Sequence, residues 1–105
     1  MTENQYQGKL IKKLELRFPG CIVLKNDAGL VQGIPDLTLL YGQYWAALEV
    51  KASMNTIKQP NQDFFVQKLD DMSFTAYIYP ENEEEVLSAL QSAFTTPRQT
   101  RVSQR

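Results

Sequence analysis

The sequence predicts a single α/β domain, a mixed four-stranded sheet flanked by helices in the order α-β-β-β-α-β-α. Three observations predict it. Three segments carry apolar residues at helical spacing, four short runs have strand character, and the length of 105 residues suits one domain rather than two. At 43% hydrophobic and 22% charged residues the composition is that of a globular protein. No internal repeat or linker divides the chain. Residues 1–94 read as the domain and residues 95–105 (with Pro97, Arg98, Arg101 and Arg105) as a flexible basic tail.

The first helix is announced by Thr2 and Gln5, a capping box, and runs to about Arg17. Its apolar stripe is Tyr6, Leu10, Ile11, Leu14 and Phe18, and Pro19-Gly20 stops it. Cys21-Ile22-Val23-Leu24 reads as a short buried strand, followed by a loop from Asn26 to Gly33. Asp36 to Tyr41 and Tyr44 to Lys51 are strands joined at Gly42-Gln43, a two-residue hairpin turn. After a loop at 52–59, Pro60 suits the first position of a second helix, with Phe65, Val66, Leu69 and Met72 at helical spacing. Phe74 to Tyr79 is the fourth strand. Asn82 and Glu85 form a second capping-box pattern, opening a helix with Val86, Leu87, Leu90 and Phe94 on its apolar side.

Several function classes are excluded at once. With no histidine and only one cysteine, Cys21, there is no Ser-His or Cys-His nucleophile, no histidine-ligated metal and no intrachain disulfide. A metal held here must rest on oxygen ligands. No apolar run approaches the roughly 20 residues of a membrane span, and residues 1–15 are polar and charged, unlike a signal peptide. These features predict a cytoplasmic protein with no membrane partner. Eleven Lys and Arg against twelve Asp and Glu give a net charge of −1, so no global charge drives the chain toward nucleic acid. The charge is uneven, however: Lys9, Lys12, Lys13 and Arg17 make one basic stretch, while Glu81, Glu83, Glu84 and Glu85 gather acid elsewhere.

The hairpin carries the candidate chemistry. If Tyr41 pairs with Tyr44, Asp36 falls opposite Glu49, and directly opposed residues have Cβ atoms about 4.5–5.5 Å apart. Lys51 is two residues beyond Glu49 and shares its face. Two carboxylates and an amine thus converge at the strand ends. Opposed carboxylates repel; a hard divalent cation turns that repulsion into a ligand set suited to Mg²⁺ or Mn²⁺. A half-exposed cross-strand ion-pair set of Asp, Lys and Glu is the other reading of the same residues. Both faces of the hairpin are largely apolar, which predicts cover on both sides.

Two more polar residues lie where apolar ones are expected. At about 100° per residue, Glu3 falls inside the sector swept by Tyr6, Leu10, Leu14 and Phe18, although a glutamate there also complements the helix dipole. Gln62 falls in the Phe65–Val66–Leu69 stripe one turn into the second helix, where it can serve the site or satisfy loop backbone. Gln7 shares the Glu3 side.

Gly33-Ile34-Pro35-Asp36, followed after twelve residues by Glu49-Val50-Lys51, resembles the P-D…E-x-K signature of PD-(D/E)XK nucleases. With the leading-helix glutamate and the following Pro60-Asn61-Gln62 and Phe65, residues 3–94 closely resemble the minimal virus-type replication-repair nuclease (VRR-NUC) domain, of the stand-alone phage and prophage type. The resemblance implies a restriction-endonuclease-like fold. It implies that Asp36, Glu49 and the Val50 carbonyl bind Mg²⁺ or Mn²⁺, and that Lys51 orients or activates the attacking water. Gln62 matches a glutamine beside the scissile phosphate, and Glu3 a helix glutamate that completes the site.

The implied activity is that of a metal-dependent DNA endonuclease acting on branched DNA in the manner of a Holliday-junction resolvase, working as a homodimer in a bacterial host cell. No small-molecule cofactor is expected. Lys9, Lys12, Lys13, Lys25, Lys58 and the tail arginines are the candidate phosphate contacts. Two alternatives stand beside this: a nickase on flaps, single strands or mismatches in phage DNA metabolism, and a non-catalytic DNA-binding subunit that keeps the fold.

Overall fold

A computed structural model describes residues 1–95. Thr2 caps α1 (Glu3–Arg17) as its side chain promises: its Oγ1 accepts from the Gln5 N–H at 3.1 Å, and Gln5 Oε1 accepts from the Thr2 N–H at 2.8 Å. There follow β1 (Ile22–Lys25), β2 (Leu37–Tyr41), β3 (Tyr44–Val50), α2 (Pro60–Met72), β4 (Phe74–Ile78), a 3₁₀ turn (Pro80–Asn82) and α3 (Glu83–Thr95). Thr95, assigned to the tail by its sequence, closes α3; residues 96–105 lie outside the described residues.

The four strands form one mixed sheet in the order β1-β2-β3-β4. The β1–β2 and β2–β3 pairs are antiparallel, and β4 joins β3 in parallel through α2. The hairpin register sets Tyr41 opposite Tyr44 and Leu37 opposite Leu48, as the Gly42-Gln43 turn requires. Gly42 adopts φ +60°, open to glycine at no steric cost. One face of the sheet is the core: Leu37, Leu39, Ala46, Leu48, Val50 and Ile78 pack against Tyr6, Leu10, Leu14 and Phe18 of α1 and Val86, Leu87, Leu90 and Phe94 of α3. The three aromatic residues Phe18, Tyr41 and Phe94 meet ring to ring at 5.5 to 5.7 Å.

Three expectations are corrected. β1 is not a buried strand: it starts one residue later than its sequence suggested and forms the sheet edge, with Ile22 and Leu24 56% and 45% exposed. The hairpin is covered fully on one face only. α2 lies over β3 and β4 without burying any of its residues completely, and leaves Leu40 of β2 exposed beside Ile22. Asn82 does not join Glu85 in opening α3. Its Oδ1 accepts from the Tyr79 N–H and its amide donates to the Tyr77 carbonyl, which closes the 3₁₀ turn ahead of the helix.

The acidic cluster clamps helices. Glu83 accepts from Tyr6 and from Lys13 (2.9 and 2.7 Å), and Glu84 pairs with Arg17 at 3.0 Å, tying α3 to α1.

At Gly33 the loop before β2 touches the first turn of α2. Its φ is +88°, and a Cβ there would lie 2.6 Å from the Asn61 carbonyl oxygen. Both facts demand glycine. Gly33→Ala is expected to lose about 1–3 kcal/mol from backbone conformation alone, with the collision against Asn61 in addition. Urea unfolding checks this: the midpoint should fall with an unchanged slope, and an unchanged midpoint would refute it.

Candidate functional site

The site forms where the ends of β2 and β3 meet the starts of α1 and α2. Asp36 ends the loop entering β2, and that loop is pinned by Asn26. The Asn26 amide donates to the Pro35 carbonyl (2.9 Å) and to Thr38 Oγ1 (2.8 Å), and its own N–H donates to the Asp36 carbonyl at 2.8 Å. Asp36 Oδ2 accepts from the Val50 N–H at 2.9 Å, which fastens the carboxylate across the hairpin beside Glu49. Strand alternation directs Val50 into the core and Glu49 and Lys51 to the opposite face. Glu49 is 2% and Lys51 6% exposed.

These three residues and Gln62 form one connected set. Lys51 Nζ donates to Gln62 Oε1 at 2.8 Å and lies 3.7 Å from Glu49 Oε2. Gln62 Nε2 donates to Glu49 Oε2 at 3.1 Å, while the Gln59 N–H also reaches Gln62 Oε1 at 3.2 Å. Gln62 therefore satisfies loop backbone and also bridges the lysine to the glutamate. Glu49 Oε1 is buried and has no hydrogen-bond partner. Burial first, then the neighbouring Asp36 carboxyl, pushes the Glu49 carboxyl up to about 8 against the pull of Lys51. Glu3, half-buried at the start of α1, feels the same neighbourhood: burial and Asp36 raise its carboxyl, and Lys51 lowers it.

A buried, unpartnered carboxylate oxygen beside a second carboxylate is costly unless a cation or proton meets it. Among the described residues no group of three or more His, Cys, Asp and Glu gathers into a metal cage. The side-chain oxygens here that could meet a hard cation are those of Asp36 and Glu49, a donor type that Mg²⁺ accepts.

No family model matches this chain, and no curated protein or solved structure matches it. Among the described residues no helix is long and apolar enough to cross a membrane.

The candidate phosphate contacts scatter. Lys9 and Lys12 line a shallow groove on the outer side of α1 with Asn4 and Gly8, Lys25 ends the edge strand, and Lys13 is engaged by Glu83. Lys58 stands just before α2, its ammonium 4.4 Å from the centre of the Tyr77 ring. Sequence reasoning missed Asn26, Tyr77 and Asp63, whose carboxylate accepts from the Tyr77 hydroxyl. Tyr77 could have been found from strand alternation once β4 was known to lie parallel to β3, because its register partner is Glu49. Asn26 had only its amide, in a loop, as a signal.

The raised Glu49 carboxyl links stability to pH. Without a cation, the native state holds a proton between about pH 4.5 and 8 that the unfolded chain has released. Glu49 thus contributes stability that is fully present below pH 4.5 and is lost as pH rises through 8. In chelator, the urea midpoint of the protein relative to that of Glu49→Gln should decline from pH 5 to pH 9. A difference that stays flat over that range would contradict the assignment.

Proposed function

We propose that the chain is a metal-dependent DNA endonuclease of the VRR-NUC type, hydrolysing phosphodiester bonds in branched DNA. The observation that carries the reading is the buried Glu49 carboxylate with an unpartnered oxygen, set beside Asp36 and joined to Lys51 through Gln62. The cross-strand ion-pair reading accounts for Lys51 and Glu49. As a half-exposed set it gives no reason for the burial of Glu49 and Lys51 or for the unpartnered oxygen on Glu49.

Asp36, Glu49 and the Val50 carbonyl would hold Mg²⁺ or Mn²⁺. What such a cation supplies when bound is an acidified water and a neutralised phosphate. The rest is work for the side chains. Gln62 holds Lys51 by its carbonyl and Glu49 by its amide, so the ammonium is fixed in direction and keeps N–H groups for a phosphate oxygen or the attacking water. Lys51 then opposes the charge that grows on the phosphate oxygens. Glu3, on the α1 side, would complete the site through a water. Recognition by shape and phosphate contacts suits this single α/β domain better than base readout. Two such sites in a homodimer would match the two strands of a four-way junction. The setting is the cytoplasm of a bacterial host, for a phage or prophage product.

Cleavage of labelled linear, nicked, flap and four-way DNA with Mg²⁺ or Mn²⁺ tests the proposal. Four-way junctions should be cut best, Lys51→Ala should lose about 10²–10³ in rate, and Asp36→Ala should lose at least as much. Wild-type rates in either variant would refute the site, and equal cutting of flaps and junctions would refute the branched-DNA preference. Separately, light scattering at micromolar concentration should give twice the chain mass; a monomer would refute the homodimer.

A further inference from the structure

Whereas Lys13 is held by the Glu83 carboxylate, Lys58 is braced by an aromatic ring. Its ammonium rests over the Tyr77 ring, and the Tyr77 hydroxyl donates to Asp63 in the first turn of α2. The ring is thus tied at its hydroxyl to α2, and its face receives the lysine that leads into the same helix. Tyr77 is also the β4 neighbour of Glu49, on the same face of the sheet. The brace therefore borders the Glu49–Gln62–Lys51 set. A lysine is ordinarily a flexible point charge with three donors; a ring face restrains it without consuming those donors.

We propose that Lys58, held over Tyr77, takes a DNA backbone phosphate next to the one at Lys51, and that Tyr77 and Asp63 are positioning residues for it. The proposal deepens the nuclease reading and rests on it for the identity of the ligand. It also sets an order among the candidate contacts. Lys13 is committed to Glu83 and Lys25 stands at the far edge of the sheet, whereas Lys58 is fixed at the rim of the site.

Fluorescence anisotropy of a labelled four-way junction in EDTA, across 50–200 mM KCl, reads the contact without cleavage. Each phosphate neutralised adds about 0.9 to the slope of log affinity against log salt. Lys58→Ala should reduce that slope by about one, so that about threefold to fourfold less affinity is lost over the salt range. Tyr77→Leu, which removes the ring, should reproduce that slope, and Tyr77→Phe, which keeps the ring and loses only its tie to Asp63, should give a slope between that and the wild-type value. The double variant Lys58→Ala/Tyr77→Leu should bind like Lys58→Ala alone. A purely structural role for Tyr77 would shift the urea midpoint and leave the salt slope alone.

A wild-type slope in Lys58→Ala would overturn the proposal, as would additive losses in the double variant or no binding by the wild type. Lys58 is exposed, so its alanine variant decides the matter even if Tyr77→Leu fails to fold. Metal-dependent cutting with a slope indifferent to Lys58 would sink this proposal and leave the nuclease reading standing. A Lys58-dependent slope with no cutting of any DNA in Mg²⁺ or Mn²⁺ would do the reverse.

Discussion

The arrangement turns on one unfavourable contact: two carboxyl groups, Asp36 and Glu49, brought together at the end of a hairpin with one of them buried. Water cannot solvate Glu49, and its Oε1 meets no donor. Each neighbouring group compensates part of that cost. The Val50 N–H takes one Asp36 oxygen, Gln62 and Lys51 share Glu49 Oε2, and the proton retained toward pH 8 covers the remainder. A set whose last unpartnered oxygen is met only by a proton is open to exchange of that proton for a cation, unlike a closed ion-pair network.

Holding the contact requires that several chain segments reach one point, and the fold supplies this by backbone devices rather than by the acids themselves. The hairpin register, which ends with Leu37 opposite Leu48, brings Asp36 to the Val50 N–H beside Glu49 through a turn far from both. Asn26 locks the loop that ends in Asp36. Gly33 lets that loop lie against Asn61 so closely that no side chain fits, which seats Gln62 over the hairpin. α1 enters with Glu3 at its first turn, where the Thr2 cap fixes the start of the helix. The sheet face under α1 and α3 is tightly packed, while the face bearing the charged set is only partly covered by α2. The packed face supports the charged set from beneath.

Much of this was legible in the sequence, for local reasons. A two-residue turn and strict alternation give the hairpin register without tertiary information, so Asp36, Glu49 and Lys51 could be placed on one face. The Thr2–Gln5 box fixed the start of α1, and Pro60 that of α2. What was not legible depended on layers meeting. Cys21 to Leu24 looks buried because it is apolar, but only its position at the sheet edge decides its exposure. Asn82 was free to cap a helix or close a turn, and the carbonyl of Tyr77 decided for the turn. Lys58 looked like any surface lysine until β4 delivered a ring beneath it.

The charge balance takes on a different meaning once the pairs are known. Lys13 and Arg17, half of the basic stretch on α1, are spent on Glu83 and Glu84, so half of that stretch and half of the acidic cluster cancel across the helix interface. The field left near the site then arises from few charges: Asp36, Glu49 and Glu3 with Lys51 beside them, and Lys58 with Asp63 at the rim. A chain of net charge −1 cannot draw a polyanion by its overall field. Affinity for one would have to come from fixed local contacts, where a restrained lysine counts for more than a free one because less side-chain freedom is lost on binding. A cation between Asp36 and Glu49 would change the sign of that local field at the point of contact. Cation and polyanion would then each favour the other's binding, a coupling that the net charge of the sequence does not reveal.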